Sequence, residues 1–108
     1  MKYLRQELSG CEELIMTVLW QASDSMTCQE ILNQVKEKYG LDYQPTTVYT
    51  FLKHLTTKGY VNKLHRGVNL YEARQGREAY LREKVELFTQ IWFSGDKDKF
   101  RRFLDQEE

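Results

Sequence analysis

The chain has 108 residues, of which 41% are hydrophobic and 30% are charged, and its formal net charge is zero. This size fits a single small domain, and no apolar run approaches the roughly 18 residues that a membrane span requires. The opening residues lack the apolar segment of a secretory signal peptide. We therefore expect a soluble cytoplasmic protein rather than a membrane protein.

Positive charge is concentrated in the middle of the chain. Residues 1–43 carry four basic and seven acidic side chains, and residues 75–108 carry seven basic and eight acidic ones. Residues 44–74 instead carry five basic side chains against Glu72 alone. Binding to phosphates requires local rather than total positive charge, so this segment is a candidate nucleic-acid contact. The charge by itself fits a solvated basic surface equally well.

Two capping boxes predict the first two helices. Ser9 with Glu12, and Thr27 with Glu30, have the spacing at which side chain and backbone cap each other reciprocally. We expect the first helix to end near residues 20–22 and the second at Gly40, which tolerates a left-handed backbone. The apolar stripes that follow the caps are Cys11, Leu14, Ile15, Val18 and Leu19, and then Ile31, Leu32, Val35 and Tyr39.

A third helix and a hairpin occupy the basic segment. The single proline, Pro45, suits the first position of a helix, and Gly59 ends that helix. Its apolar face consists of Val48, Phe51, Leu52 and Leu55. Residues 60–65 and 68–73 then read as two short strands joined by Arg66-Gly67 as a two-residue turn.

The last third of the chain returns to a helical pattern. We expect a helix from residue 75 to residue 93, a break at residues 94–96, and a short helix over residues 97–106. A small three-helix domain offers no obvious cover for the apolar residues of this tail, so we predict that a second copy covers them. The alternative is that the tail folds back onto its own domain. The predicted dimerisation residues are Tyr80, Leu87, Phe88, Ile91, Trp92, Phe100, Phe103 and Leu104.

The order of these elements predicts a mostly α-helical winged helix-turn-helix domain over residues 1–74, with a small β-hairpin wing, followed by dimerisation helices over residues 75–108. An α-helix fits the major groove of DNA, and no acidic side chain lies between Gln44 and Lys58 on the third helix. The predicted DNA-binding residues are Thr46, Thr47, Tyr49, Thr50, Lys53, His54, Lys58, Lys63, His65 and Arg66. A winged-helix module that binds another protein instead of DNA is the alternative.

Other classes of site have little support. Cys11 and Cys28 lie within helical patterns without the spacing of metal ligands, and we interpret them as small core residues in a reducing compartment. Neither His54 nor His65 belongs to a set of nucleophile, base and orienting group, and the chain has no glycine-rich phosphate loop. We therefore predict neither an enzyme nor a bound metal or cofactor.

Two stretches carry a resemblance to a known family. Leu8 to Glu12, continued by Val18-Leu19-Trp20, and Thr46 to Leu55, continued by residues 58–61, resemble the opening and the recognition helix of the penicillinase repressor family. This family includes β-lactamase, methicillin-resistance and copper-responsive repressors. The resemblance is good from Leu8 to Tyr71 and looser in the tail. It implies a homodimer on a palindromic double-stranded DNA operator, with the C-terminal helices as the dimer contact.

The resemblance does not carry over the family's inducing signals. In the β-lactam branch, a membrane sensor's protease pathway cuts an Asn-Phe bond in the dimerisation region, whereas the corresponding place here is Arg102-Phe103. The copper branch has a cysteine-rich tail, and this chain has no cysteine after Cys28. An upstream sensor or protease therefore stays unidentified.

Overall fold

The computed structural model describes residues 7–106, which form five α-helices and one two-stranded antiparallel sheet. They divide into two units, residues 7–76 and residues 77–106. The elements in chain order are α1 (Gly10–Gln21), α2 (Cys28–Tyr39), α3 (Pro45–Thr57), β1 (Val61–Arg66), β2 (Val68–Ala73), α4 (Arg77–Phe93) and α5 (Lys97–Leu104). No helix within the described residues is long and apolar enough to cross a membrane.

The predicted capping boxes begin both of the first helices. The Ser9 hydroxyl accepts from the Glu12 amide at 3.2 Å, and the Glu12 carboxylate accepts from the Ser9 amide at 2.8 Å. Thr27 and Glu30 repeat this exchange at 3.1 and 2.9 Å. Gly40 caps α2 in the left-handed conformation, with φ 68°. These local predictions are confirmed, because each depends on a few neighbouring residues whose side chains satisfy the exposed ends of a helix.

The third helix begins at Pro45 and the second strand spans Val68–Ala73, both as predicted, but the first strand is shifted by one residue from its predicted position. The first strand runs from Val61 to Arg66, so that Tyr60 precedes it and Arg66 lies in the strand rather than in the turn. Gly67 alone separates the two strands, and its φ of 76° is one that few side chains tolerate.

The core of the first unit joins the hairpin to the three helices. Ile15, Met16, Ile31 and Leu52 are fully buried, and Tyr71 of β2 is 2% exposed. The backbone of Tyr71 exchanges two hydrogen bonds, of 2.9 and 2.8 Å, with that of Met26, in the segment between α1 and α2. The hairpin is thereby fixed to the helices by backbone pairing as well as by side-chain burial.

The two cysteines differ from their predicted core positions. Cys11 and Cys28 are only half-buried, and Cys28 is the first residue of α2. The Tyr43 hydroxyl donates a hydrogen bond of 3.2 Å to the Cys11 sulfur. Because the ends of a helix are less enclosed than its middle, the helical pattern overestimated how deeply these side chains lie.

An ion pair joins the start of α1 to the end of α3. The Lys58 ammonium donates to Oε1 of Glu12 at 2.8 Å and to the Glu7 carbonyl oxygen at 3.1 Å. Glu12 is 3% exposed. Burial raises the pKa of the Glu12 carboxyl, but hydrogen bonds from Lys58 and Ser9 and the charge of Lys58 outweigh burial, so the pKa lies below its ordinary value.

In the second unit, α5 folds back against α4 through aromatic side chains. The ring centroid of Phe100 lies 5.3 Å from that of Phe88 and 5.4 Å from that of Phe93. Phe103 is 5.6 Å from Phe93 by the same measure. Asp96 begins α5 by accepting from the amides at positions 98 and 99. Both helices are shorter than predicted, since α4 begins at residue 77 rather than 75 and α5 ends at residue 104 rather than 106.

Removing the cap of α2 tests this account of the helix ends. We predict that Thr27→Ala lowers the free energy of unfolding by about 1 kcal/mol, because the Glu30 amide loses its acceptor. Urea unfolding followed by circular dichroism measures the change. Ser23→Ala, in the exposed turn before α2, is the control and should change stability by less than about 0.5 kcal/mol. Equal effects of the two variants would contradict the capping role.

The Glu12–Lys58 ion pair predicts a pH dependence of stability. A carboxyl whose pKa is lowered in the folded state stabilises it above the unfolded pKa, and this contribution is lost as pH falls through the folded pKa. We therefore expect wild type to exceed Glu12→Gln in unfolding free energy at pH 7. The gap should narrow below the ordinary carboxyl pKa of 4.5. A gap that stays constant from pH 7 to pH 3 would contradict the assignment.

Candidate nucleic-acid interface

One face of α3 presents polar side chains to solvent. Thr46, Thr50, Lys53 and His54 are exposed, and Tyr49 is 46% exposed. On the opposite face Val48, Leu52 and Leu55 are fully buried. The helix is therefore held by its apolar side, and the side left free carries hydroxyl, imidazole and ammonium groups that can contact a nucleic acid.

The threonines of α3 differ in their exposure and in the hydrogen bonds that they can form with a nucleic acid. Thr47 is half-buried, so that less of its side chain is accessible than at Thr46. The Thr50 hydroxyl donates a hydrogen bond of 2.9 Å to the Thr46 carbonyl oxygen. A phosphate oxygen only accepts, so Thr50 must release this bond before it donates to a phosphate. In its present geometry it offers an acceptor and a methyl group.

The first strand of the hairpin lies beside the exposed face of α3. The Lys63 ammonium is 6.0 Å from the ring centroid of Tyr49, at the outer limit of a cation–π contact. Both side chains are exposed. This contact brings the wing and the third helix together on one surface, as the winged helix-turn-helix prediction required.

The tip of the wing contains a cross-strand pair that the sequence did not reveal. His65 lies opposite Asn69, and the His65 Nδ1 is 2.9 Å from the Asn69 Oδ1. Because an amide oxygen only accepts, His65 Nδ1 is the donor in this pair. Arg66 next to it is exposed. The sequence could have indicated this pair only through the register of the hairpin. The turn predicted at residues 66–67 would instead place His65 opposite Val68.

Lys53 and Lys63 supply accessible positive charge at this surface, and Arg66 supplies it at the tip of the wing. All three are exposed, and none has a carboxylate partner among the described residues. An unpaired surface cation attracts phosphate without first breaking an ion pair, so these three are the strongest candidates for contact with a nucleic-acid backbone.

Lys58 differs from these cations in its surroundings. Its side chain is only 22% exposed, and its ammonium is bound to Glu12 and to the Glu7 carbonyl oxygen. A phosphate contact would require breaking these bonds and leaving a buried carboxylate without its counter-charge. The ion pair therefore argues against a direct DNA contact by Lys58, which stays a prediction.

The predicted dimerisation residues separate into two groups. Tyr80 and Leu87 are buried within the chain, and Phe100 is half-buried in the aromatic cluster, so these three side chains offer a partner less surface than the rest of the set, and their part in a dimer contact stays a prediction. The large apolar side chains of this set that remain exposed are Phe88, Ile91, Trp92, Phe103 and Leu104. Trp92, at 70%, is the most exposed of them. These five side chains are called the apolar surface of the second unit, and Val85 of α4, at 42%, is exposed as well.

Comparison with solved structures places the fold among winged-helix regulators. RosR of H. salinarum is 26% identical, with 91% of this chain and 88% of that chain covered and a TM-score of 0.57. A structure of the hsRosR-S4 complex gives 25% identity, 92% and 85% coverage, and a TM-score of 0.58.

Metal-responsive regulators share part of the fold. The ferric uptake regulator Fur of Helicobacter pylori, described as having three functional metal-binding sites, is 19% identical over 62% of this chain and 47% of that chain, with a TM-score of 0.57. FurB of M. tuberculosis, a zinc uptake regulator, is 26% identical over 62% and 53%, with a TM-score of 0.53. This chain thus spans about half the length of these two proteins. Within residues 7–106 no group of three or more His, Cys, Asp or Glu side chains is arranged to hold a metal ion.

Family membership follows from a match over nearly the whole sequence. No curated protein matches the chain. The model of the penicillinase repressor family, however, matches residues 8–108, which include all of the described helices and both strands. The resemblance seen in the sequence is confirmed. The chain belongs to the penicillinase repressor family.

Proposed function

We propose that this protein is a cytoplasmic repressor that binds a palindromic operator as a homodimer. In this proposal α3 enters the major groove and the hairpin wing contacts the backbone or the minor groove. The observation that carries it is the surface formed by α3 and β1, where Lys53, Lys63 and Arg66 are exposed and lack carboxylate partners among the described residues. Repression is the activity that the name of the family describes.

The geometry of this surface suggests different roles for the residues of α3 and those of the wing. Thr46, Tyr49 and Lys53 project from the exposed side of α3 and can reach base edges and the nearest phosphates. Lys63 and Arg66 lie on the wing, one near Tyr49 and the other beside the tip. We propose that the α3 residues read the half-site and that the wing fixes the orientation of the domain on the duplex.

The apolar surface of the second unit supports a homodimer. Phe88, Ile91, Trp92, Phe103 and Leu104 are each at least 41% exposed. Exposed apolar side chains that form one patch mark interaction sites in soluble proteins, and we propose that these five are covered by a second copy, because a symmetric dimer is the commonest oligomer. Two winged domains held by such a dimer would match two half-sites about one helical turn apart.

Selection of bound duplexes from a random library, at two salt concentrations, tests the proposal as a whole. A palindrome bound with steep salt dependence supports a sequence-specific dimer. Enrichment of a single non-repeated site would overturn the dimeric arrangement. Absence of duplex binding by the folded protein would overturn the DNA-contact assignment, and would favour the alternative in which this surface binds another protein.

The DNA-contact surface makes a quantitative prediction. We expect Lys53→Ala and Arg66→Ala each to weaken operator binding and to reduce the slope of log affinity against log salt by about 1, because each removes one phosphate contact. Fluorescence anisotropy over a salt series measures both quantities. Lys99→Ala, an exposed lysine of α5, is the control and should change neither. Wild-type binding by both variants would show that another surface contacts DNA.

The dimer surface predicts an effect of one charged substitution. Trp92→Glu should convert the dimer to a monomer, because a carboxylate cannot be buried at an apolar interface without a partner. Light scattering measures the mass, and operator affinity should fall with it. Gln90→Glu adds the same charge to an exposed neighbouring position and should leave the dimer intact. A folded Trp92→Glu variant that remains dimeric would rule out this surface.

A further inference from the structure

The end of the recognition helix and the start of the wing meet at Lys58. Its backbone amide closes the last turn of α3 by donating to the His54 carbonyl oxygen at 2.8 Å. Gly59 follows with φ 87°, and the Tyr60 amide then bonds back to the Leu55 carbonyl oxygen at 2.9 Å. Residue 58 is thus the point at which the chain turns from the helix into the first strand.

The Lys58 side chain connects this turn to the start of α1. Its ammonium is bonded to Oε1 of Glu12 and to the Glu7 carbonyl oxygen, at 2.8 and 3.1 Å. Oε1 of Glu12 also accepts from the Ser9 amide, so the carboxylate is itself held by the capping box of α1. Glu12 Oε2 is buried without a hydrogen-bond partner in the described part of the chain. Lys58 is therefore the counter-charge on which this buried carboxylate depends.

We infer that Glu12 and Lys58 are positioning residues for DNA binding, which hold the end of α3 and the root of the wing at the angle that lets both contact the duplex. The inference rests on the proposed function. Two long-range bonds end on a single ammonium, and the partners lie 46 and 51 positions away along the chain. The exposed cations Lys53 and Lys63 lie on either side of the turn that these bonds fix.

A positioning role and a direct contact predict opposite effects of Glu12→Gln. If Lys58 contacts a phosphate, removing the carboxylate frees the ammonium and removes a negative charge, so affinity should stay the same or rise. If the pair positions the surface, affinity should fall although the protein has become more positive. Glutamine preserves the capping box, because its side-chain oxygen can still accept from the Ser9 amide.

We expect Glu12→Gln and Lys58→Met each to weaken binding to the selected operator about tenfold, a common size for coupling between sites. The salt slope should stay at the wild-type value. The double variant should be no weaker than the weaker single variant, since both changes break the same bond. Lys58→Arg, which can reach both oxygen atoms, should recover most of the affinity.

Two controls separate positioning from charge and from stability. Glu30→Gln makes the same chemical change in the second capping box, where the carboxylate is exposed, and should leave affinity within about twofold of wild type. Ser9→Ala weakens the cap of α1 but leaves the carboxylate and the ammonium in place, so it should lower the melting temperature without lowering operator affinity of the folded protein.

Failure of the positioning inference can be distinguished from failure of the proposed function. If wild type binds its operator and Glu12→Gln binds as tightly or more tightly, the positioning inference is overturned. If Lys58→Met also loses about one unit of salt slope, Lys58 contacts phosphate instead. If Glu12→Gln is too unstable to assay, Lys58→Arg against Lys58→Met decides, because equal loss in both would contradict the role. Absence of operator binding by wild type would refute the proposed function itself.

Discussion

The arrangement of this molecule depends on how the wing is fixed to the helices. A two-stranded hairpin is at best marginally stable in water, so the wing keeps its position only because one of its faces is buried. Tyr71 supplies that burial, and its backbone pairs with Met26 between α1 and α2. Lys63 pairs with Tyr71 and therefore lies on the same face of the hairpin, whereas Arg66 lies on the other face. Fixing Tyr71 therefore fixes where both cations are displayed.

Charge is segregated within a chain whose total is zero. Most of the basic side chains of residues 44–74 are exposed, whereas Glu12, which lies against Lys58 of this segment, is buried and neutralised by that lysine. An exposed carboxylate at that place would repel phosphate. The buried ion pair therefore keeps the electrostatic potential of the surface positive and also holds its geometry. A protein with no net charge can in this way display a basic surface.

Local features were predictable and long-range ones were not. The capping boxes, Gly40 and Pro45 act on residues within one turn, and the sequence contains all the information that they require. The partner of Lys58 is 46 positions away, and Glu12 already had a local explanation in its capping box, so nothing in the pattern suggested an ion pair. Which face of α3 is exposed was predictable because its apolar residues recur at helical spacing on the opposite face.

The C-terminal helices show a different limit. Their apolar residues are spread around α4, so the sequence indicated that they needed cover without indicating which of them the chain covers itself. Tyr80 and Leu87 are buried in the structure, and the rings of Phe88, Phe93 and Phe100 pack between α4 and α5. Packing of this kind depends on where α5 turns back, which the break at Ser94 and Gly95 allows but does not specify.

The turn at Gly67 restricts how a wing of this design can change in length. Successive side chains on a strand point to opposite faces, so lengthening each strand by one residue would turn the residue beside the tip away from the face that Arg66 now occupies. Lengthening each strand by two residues would restore that face and extend the wing by about 7 Å. The length of the wing can therefore change only in steps of two residues per strand if the same face is to be kept. Smaller changes in its reach require a longer or shorter side chain at the tip.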